Sequence, residues 1–143
     1  MTVTEFEPII KVIEEAYEIP HLNATRKISA LLPHDYYQSE KRYPVLYLQD
    51  GQNLFNPMAP FGDWAIDKSL GQLAQQGMSD IIIIAIDHGE KERINEYLPY
   101  YHPRFGEGKG NFYIQFMIEK LIPYINNNYR TLPDFHNTGI GGS

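Results

Sequence analysis

The sequence predicts an open α/β sheet, mostly parallel, with helices on both faces. Three observations carry that reading. Ile81 to Ile86 is apolar at every position, the mark of a strand buried on both faces. Segments of strand length alternate with segments of helical periodicity, as crossover connections require. At 143 residues, 43% hydrophobic and 21% charged, the chain has ordinary globular composition and enough length for one sizeable core.

Taken in order, Met1 to Pro20 carries five glutamates and one lysine without a long apolar stretch, which excludes a secretory signal. Residues 1–23 are read as an N-terminal extension or peripheral segment. Thr25 to Leu32 alternates loosely and ends at Pro33, as a peripheral strand would. The polar, tyrosine-rich stretch His34 to Arg42 is a turn or hairpin connection. Pro44 to Gln49 is a more buried strand, stopped by Asp50-Gly51. Asp63 is a candidate N-cap for a helix to about Gln76, with Trp64, Ile66, Leu70, Leu73 and Ala74 at its apolar positions and Gly77 as its stop. Ser79-Asp80 introduces the isoleucine strand. The loop from Asp87 to about Gly110 is too long for a mere connection and is a candidate functional loop. Tyr113, Phe116, Met117, Leu121, Tyr124 and Ile125 place a helix over Asn111 to Asn127, with Pro123 expected to kink it or loosen its last turn. Asn137 to Gly142 is a last, glycine-rich strand. The expected order is β-β-α-β-α-β.

Charge and cysteine usage exclude several classes. The net charge is −6 without a lysine or arginine cluster, so nucleic acid and anionic membranes are poor partners. No cysteine is present, which removes disulfides, thiolate metal sites and cysteine nucleophiles and fits a cytoplasmic protein. No apolar run approaches the roughly 18 residues that a membrane span needs.

In open α/β sheets ligands bind outside the carboxyl ends of the strands. Three such ends stand out: Asp50-Gly51-Gln52-Asn53, Asp87-His88-Gly89 and Gly141-Gly142-Ser143. A strand running into Gly-Gly-Ser at a sharp turn is how a nucleophile elbow begins, because small neighbours let the serine backbone approach adjacent strand and helix. Two registers of G-x-S-x-G are open: Ser143 is the nucleophile, or it precedes the nucleophile.

The segments YPVLYLQDGQNLF (43–55), FGDWAID (61–67), IIIIAIDHGEKERINEYLP (81–99), GKGNFYIQF (108–116), YINNNYRT (124–131) and GIGGS (139–143) together resemble the putative-esterase branch of the α/β-hydrolases. That branch includes feruloyl, siderophore and S-formylglutathione esterases and mycolyltransferases. The resemblance implies that residues 24–143 form the N-terminal half of a single α/β-hydrolase domain, ending after the strand that leads to the nucleophile elbow. It implies a serine carboxylic-ester hydrolase acting through an acyl-enzyme on a small-molecule ester, with no cofactor. It also implies an elbow reading Gly-Ser-Ser-x-Gly with the second serine as nucleophile, which favours the residue after Ser143. One oxyanion donor is implied at Gln52, after Gly51, and the triad acid and histidine in the C-terminal half, which the chain lacks.

Asn53, His88, Arg93 and Trp64 are candidate substrate contacts. His88 is a pocket-wall or loop residue rather than a base, since the triad order in this fold is Ser, acid, His. Tyr100, Tyr101 and Phe105 are further candidates for an aromatic acyl pocket. His21, His34, His102 and His136 fall in expected loops without an evident partner. Asp87, His88 and Glu90 match no specific metal-site spacing. Three rival readings share these features: a nucleotide-binding protein opening a G-x-G-x-x-G turn at Gly139 and Gly141, a non-catalytic binding module on the same fold, and an acyltransferase.

Overall fold

The computed structural model describes residues 8–19, 24–49, 66–77, 80–87 and 110–141. Five strands form one sheet: β1 (Ile9–Ile19), β2 (Ala24–Leu32), β3 (Val45–Leu48), β4 (Ile82–Ile86) and β5 (Thr138–Gly141), in the spatial order β1-β2-β4-β3-β5. The sheet is mixed, not mostly parallel as expected. β1–β2 and β2–β4 are antiparallel, while β3–β4 and β3–β5 are parallel. The reason lies in the β2–β3 connection. It holds only a short 3-10 turn, Tyr36–Gln38, and reverses the chain, whereas parallel neighbours need a crossover, usually helical.

β4 is the most buried strand, with all of its residues enclosed, as a run apolar on both faces requires. Its alternate side chains feed two cores. Ile82, Ile84 and Ile86 join Ile28, Ala30, Leu32, Val45 and Tyr47 on one face, where Tyr113, Phe116, Met117, Leu121 and Ile125 of a long helical segment cover them. Ile83 and Ala85 join Leu31 and Leu48 on the other face, with Leu70 packed against them. Leu70 belongs to α1 (Ile66–Gln75). Helices therefore flank both faces. Gly77 ends α1 with a φ of 88°, a left-handed conformation that glycine adopts without a Cβ clash.

The second helical segment comprises α2 (Gly110–Phe116), one wider π turn (Met117–Leu121) and α3 (Ile122–Asn128). Pro123 acts here as anticipated in kind, but its effect falls upstream. A proline at this position has no N–H for the Glu119 carbonyl, and its ring would crowd that carbonyl. The chain widens before it, and the Ile122 N–H bonds the Met117 carbonyl instead.

Two expectations change at the N-terminal side. β2 is not peripheral: it is hydrogen-bonded on both sides, and Ile28, Ala30, Leu31 and Leu32 are fully buried. The outer position goes to β1, a strand the sequence reading did not assign. Ile9, Ile13 and Tyr17 pack against the core at intervals of four residues, and register shifts interrupt the ladder between Val12 and Glu14 and between Glu14 and Tyr17. That spacing hides the period-two pattern from which strands are read. At the other end β5 is an edge of the described sheet, and Ile140 is 61% exposed.

Candidate active-site edge

β3 runs parallel to both β4 and β5, with Leu48 opposite Ala85 on one side and Gly141 on the other. The carboxyl ends of the three strands thus share one edge of the sheet. Just past β3, the Gln49 N–H donates to the Gly141 carbonyl at 3.1 Å. The Gln49 side chain is held as well, since the Tyr113 hydroxyl donates to its Oε1. Tyr113 lies in the first turns of α2 with its ring 5% exposed, edge-on to Phe116 at 6.0 Å. At the end of β4 the Asp87 N–H donates to the Lys27 carbonyl at 3.1 Å.

The strand order places a topological switch point here. From β3 the chain crosses through α1 to β4 on one side. From β4 it returns, through the helices of the opposite face, to β5 on the other side. Ligand crevices in open α/β sheets form where strand order reverses in this way. The structure therefore brings together the strand ends that precede Asp50-Gly51-Gln52-Asn53 and Gly142-Ser143. The candidate residues themselves, Gly51, Gln52, Asn53, Trp64, His88, Arg93 and Ser143, lie outside the described residues, as do Tyr100, Tyr101, Phe105 and Glu90.

Gly139 and Gly141 have a packing role within the strand. Each pairs in the β5 ladder, opposite Leu46 and Leu48. A Cβ at Gly139 would meet Leu46 Cδ1 at 3.1 Å, and one at Gly141 would meet Leu48 Cδ2 at 3.1 Å. Both glycines are ladder residues, which stands against a phosphate-cradling turn at these positions: such a turn needs its glycines in the loop between strand and helix.

The sequence reading missed the Gln49–Tyr113 pair. No short-range signal marks it, because the partners are 64 positions apart. It also assigned His34 no partner, yet His34 Nδ1 lies 4.0 Å from Asp80 Oδ1, and His136 is engaged too. His34, Asp35 and Asp80 are the one group among the described residues whose potential metal-ligand atoms all lie within 4.8 Å of one another. The group sits where β2 ends and β4 begins, across the sheet from the Gly141 edge. Lys41 Nζ stands 3.0 Å from Asp35 Oδ2 and supplies the positive charge there. Burial alone would raise the Asp35 pKa, but hydrogen bonding and charge from Lys41, with His34, outweigh it and hold the carboxyl below its ordinary value. The group is an ion-pair cluster. Among the described residues no helix is long and apolar enough to cross a membrane.

Comparison with known proteins fits this architecture. A family model described as Putative esterase matches residues 19–143. YbbA of Bacillus subtilis (strain 168), an uncharacterized protein, is 25% identical over 129 residues, covering 86% of this chain and 48% of its own. An IroE-like serine hydrolase from Shewanella oneidensis superposes with a TM-score of 0.66 at 27% identity, over 87% of this chain and 40% of that one. A CE1 ferulic acid esterase from Anaeromyces mucronatus, solved with ferulic acid, superposes with a TM-score of 0.65 at 25% identity, over 99% of this chain and 51% of that one. The chain thus spans about half the length of these relatives. By the family match and these shared folds, it belongs to the Putative esterase family, in the esterase-like branch of the α/β-hydrolase superfamily.

Proposed function

We propose that the full-length protein is a serine hydrolase of small carboxylic esters. The observation that carries this reading is the hydrogen bond from the Gln49 N–H to the Gly141 carbonyl at the switch point. It sets the residue before Asp50-Gly51-Gln52 beside the residue two positions before Ser143. An acyl-transfer site needs a nucleophile on one of these turns and an oxyanion donor on the other.

In the proposed mechanism the elbow serine, Ser143 or the residue after it, attacks the ester carbonyl. A histidine from the C-terminal half takes the serine proton and passes it to the departing alcohol, and an acid from the same half orients that histidine. Water then attacks the acyl-enzyme, releases the carboxylic acid and restores the serine. Backbone N–H groups at Gln52 and after the nucleophile hold the oxyanion, and Gly51 lets the turn aim its donor inward. Loss of one such donor costs about a hundredfold to a thousandfold in kcat. Asn53, Trp64, His88 and Arg93 are the proposed substrate contacts. The ferulic acid bound by the Anaeromyces relative makes an aromatic acyl ester the first natural substrate class to test.

The test uses the full-length protein, p-nitrophenyl acetate and a fluorophosphonate label. Alanine at the elbow serine should abolish both turnover and labelling. Turnover that survives alanine at Ser143 and at the following residue, tested singly and together, would overturn the reading.

A further inference from the structure

We propose that Tyr113 is a positioning residue for the oxyanion turn, acting through Gln49. The inference rests on the esterase reading and extends it to a residue pair that performs no chemistry itself. Gln49 is the first residue beyond β3 and is constrained in two independent ways. Its backbone N–H is committed to the Gly141 carbonyl at 3.1 Å, and its side-chain Oε1 accepts from the Tyr113 hydroxyl. The first contact joins it to the strand that leads toward Ser143. The second joins it to the helix that covers the same face of the sheet as Tyr47.

The Tyr113 ring suits this task. It is 5% exposed and set edge-on to Phe116 at 6.0 Å, so packing fixes where the hydroxyl goes. A phenol held by its ring delivers a hydrogen bond with little side-chain entropy left to lose. Phenylalanine would fill the same core volume; the hydroxyl adds a directed contact at the sheet edge where substrate is expected. Gln49 is half-buried, so solvent competes weakly for that contact. The chain enters Asp50, Gly51 and Gln52 from a residue whose peptide and side chain are both tied down. Oxyanion donors are effective because they are aimed before charge develops, and small misplacements are costly.

The experiment compares the full-length wild type with Tyr113→Phe, Gln49→Leu and the double variant. Three quantities are read: kcat and KM for p-nitrophenyl acetate, the affinity for a reversible trifluoromethyl ketone that mimics the tetrahedral intermediate, and the melting temperature. Tyr113→Phe should lower kcat by about ten- to a hundredfold with KM within about twofold. Ketone affinity should fall by a similar factor. Gln49→Leu should match it, and the double variant should be no worse than either single variant. Unchanged kcat and ketone affinity in a folded Tyr113→Phe protein would overturn the proposal while leaving the esterase reading intact. So would losses that add in the double variant, or activity losses that follow melting temperature alone. A wild type that neither turns over the ester nor takes the fluorophosphonate would overturn both.

Discussion

The guanidinium of Arg130 stacks 4.1 Å from the ring centre of Tyr36, a residue 94 positions earlier in the chain. The same side chain donates to the Tyr36 carbonyl and, at 2.9 Å, to the Lys41 carbonyl. The Arg130 backbone N–H donates to the Tyr36 hydroxyl at 3.1 Å. Beside it, the Tyr43 N–H donates to the Arg130 carbonyl at 3.0 Å and the Leu132 N–H to the Tyr43 carbonyl at 2.8 Å. The turn before β3 is thus fastened to the segment between α3 and β5. This clasp lies at the amino ends of β3 and β5 and the Gln49–Gly141 bond at their carboxyl ends, so the pair is held from both sides.

Arg130→Lys tests the clasp. Lysine keeps the charge but loses the planar fork that reaches two carbonyls while stacking on a ring. The expected cost is about 1–2 kcal/mol in denaturant unfolding of the full-length protein, and Arg130→Ala should cost more. A lysine variant as stable as wild type would show that charge alone suffices.

Gly139→Val tests the close approach of β5 to β3. The added Cβ meets Leu46 Cδ1 at 3.1 Å, so a neighbour must move. Crowding of this kind costs about 1–3 kcal/mol. Leu46→Ala introduced into the Gly139→Val protein should recover part of the loss. If the two losses simply add, the Leu46 contact is not their source.

Tyr47 gives a pH dependence at the alkaline end. Its side chain is 1% exposed, and burial raises its hydroxyl pKa well above the ordinary tyrosine value. The unfolded chain releases this proton near pH 10, the folded chain only at higher pH. The contribution is therefore complete below about pH 10 and is lost as pH rises beyond it, at up to about 1.4 kcal/mol per pH unit. Tyr47→Phe should lose less stability between pH 9 and pH 11 than wild type does, measured by denaturant midpoints. Parallel curves for the two proteins would refute the assignment.

Much of the scaffold was legible because its signals are local. The isoleucine run marked β4 as enclosed on both faces, Gly77 marked the end of α1, and the spacing from Tyr113 to Ile125 marked the covering helices. The carboxyl ends of β3, β4 and β5, at Leu48, Ile86 and Gly141, were equally readable, each within one residue of where the local pattern put it. The missed elements had non-local causes. β1 sets Ile9, Ile13 and Tyr17 against the core at intervals of four across its ladder shifts, and β2 was misplaced because nothing in its own pattern shows that β1 will cover its outer side. The Gln49–Tyr113 contact depends on two elements meeting, not on either alone.

Among the described residues, the sequence by itself determined most of the strands and helices and most of the side chains that face a core, although Leu73 and Tyr124, read as core-facing, are exposed. Both follow from periodicity and turn chemistry within a few residues. Only the tertiary structure decided that the sheet is mixed, that the order is β1-β2-β4-β3-β5, and that Gln49 sits beside Gly141. Strand neighbours are chosen by pairing surfaces far apart in the chain, and that choice depends on how all the faces are buried together.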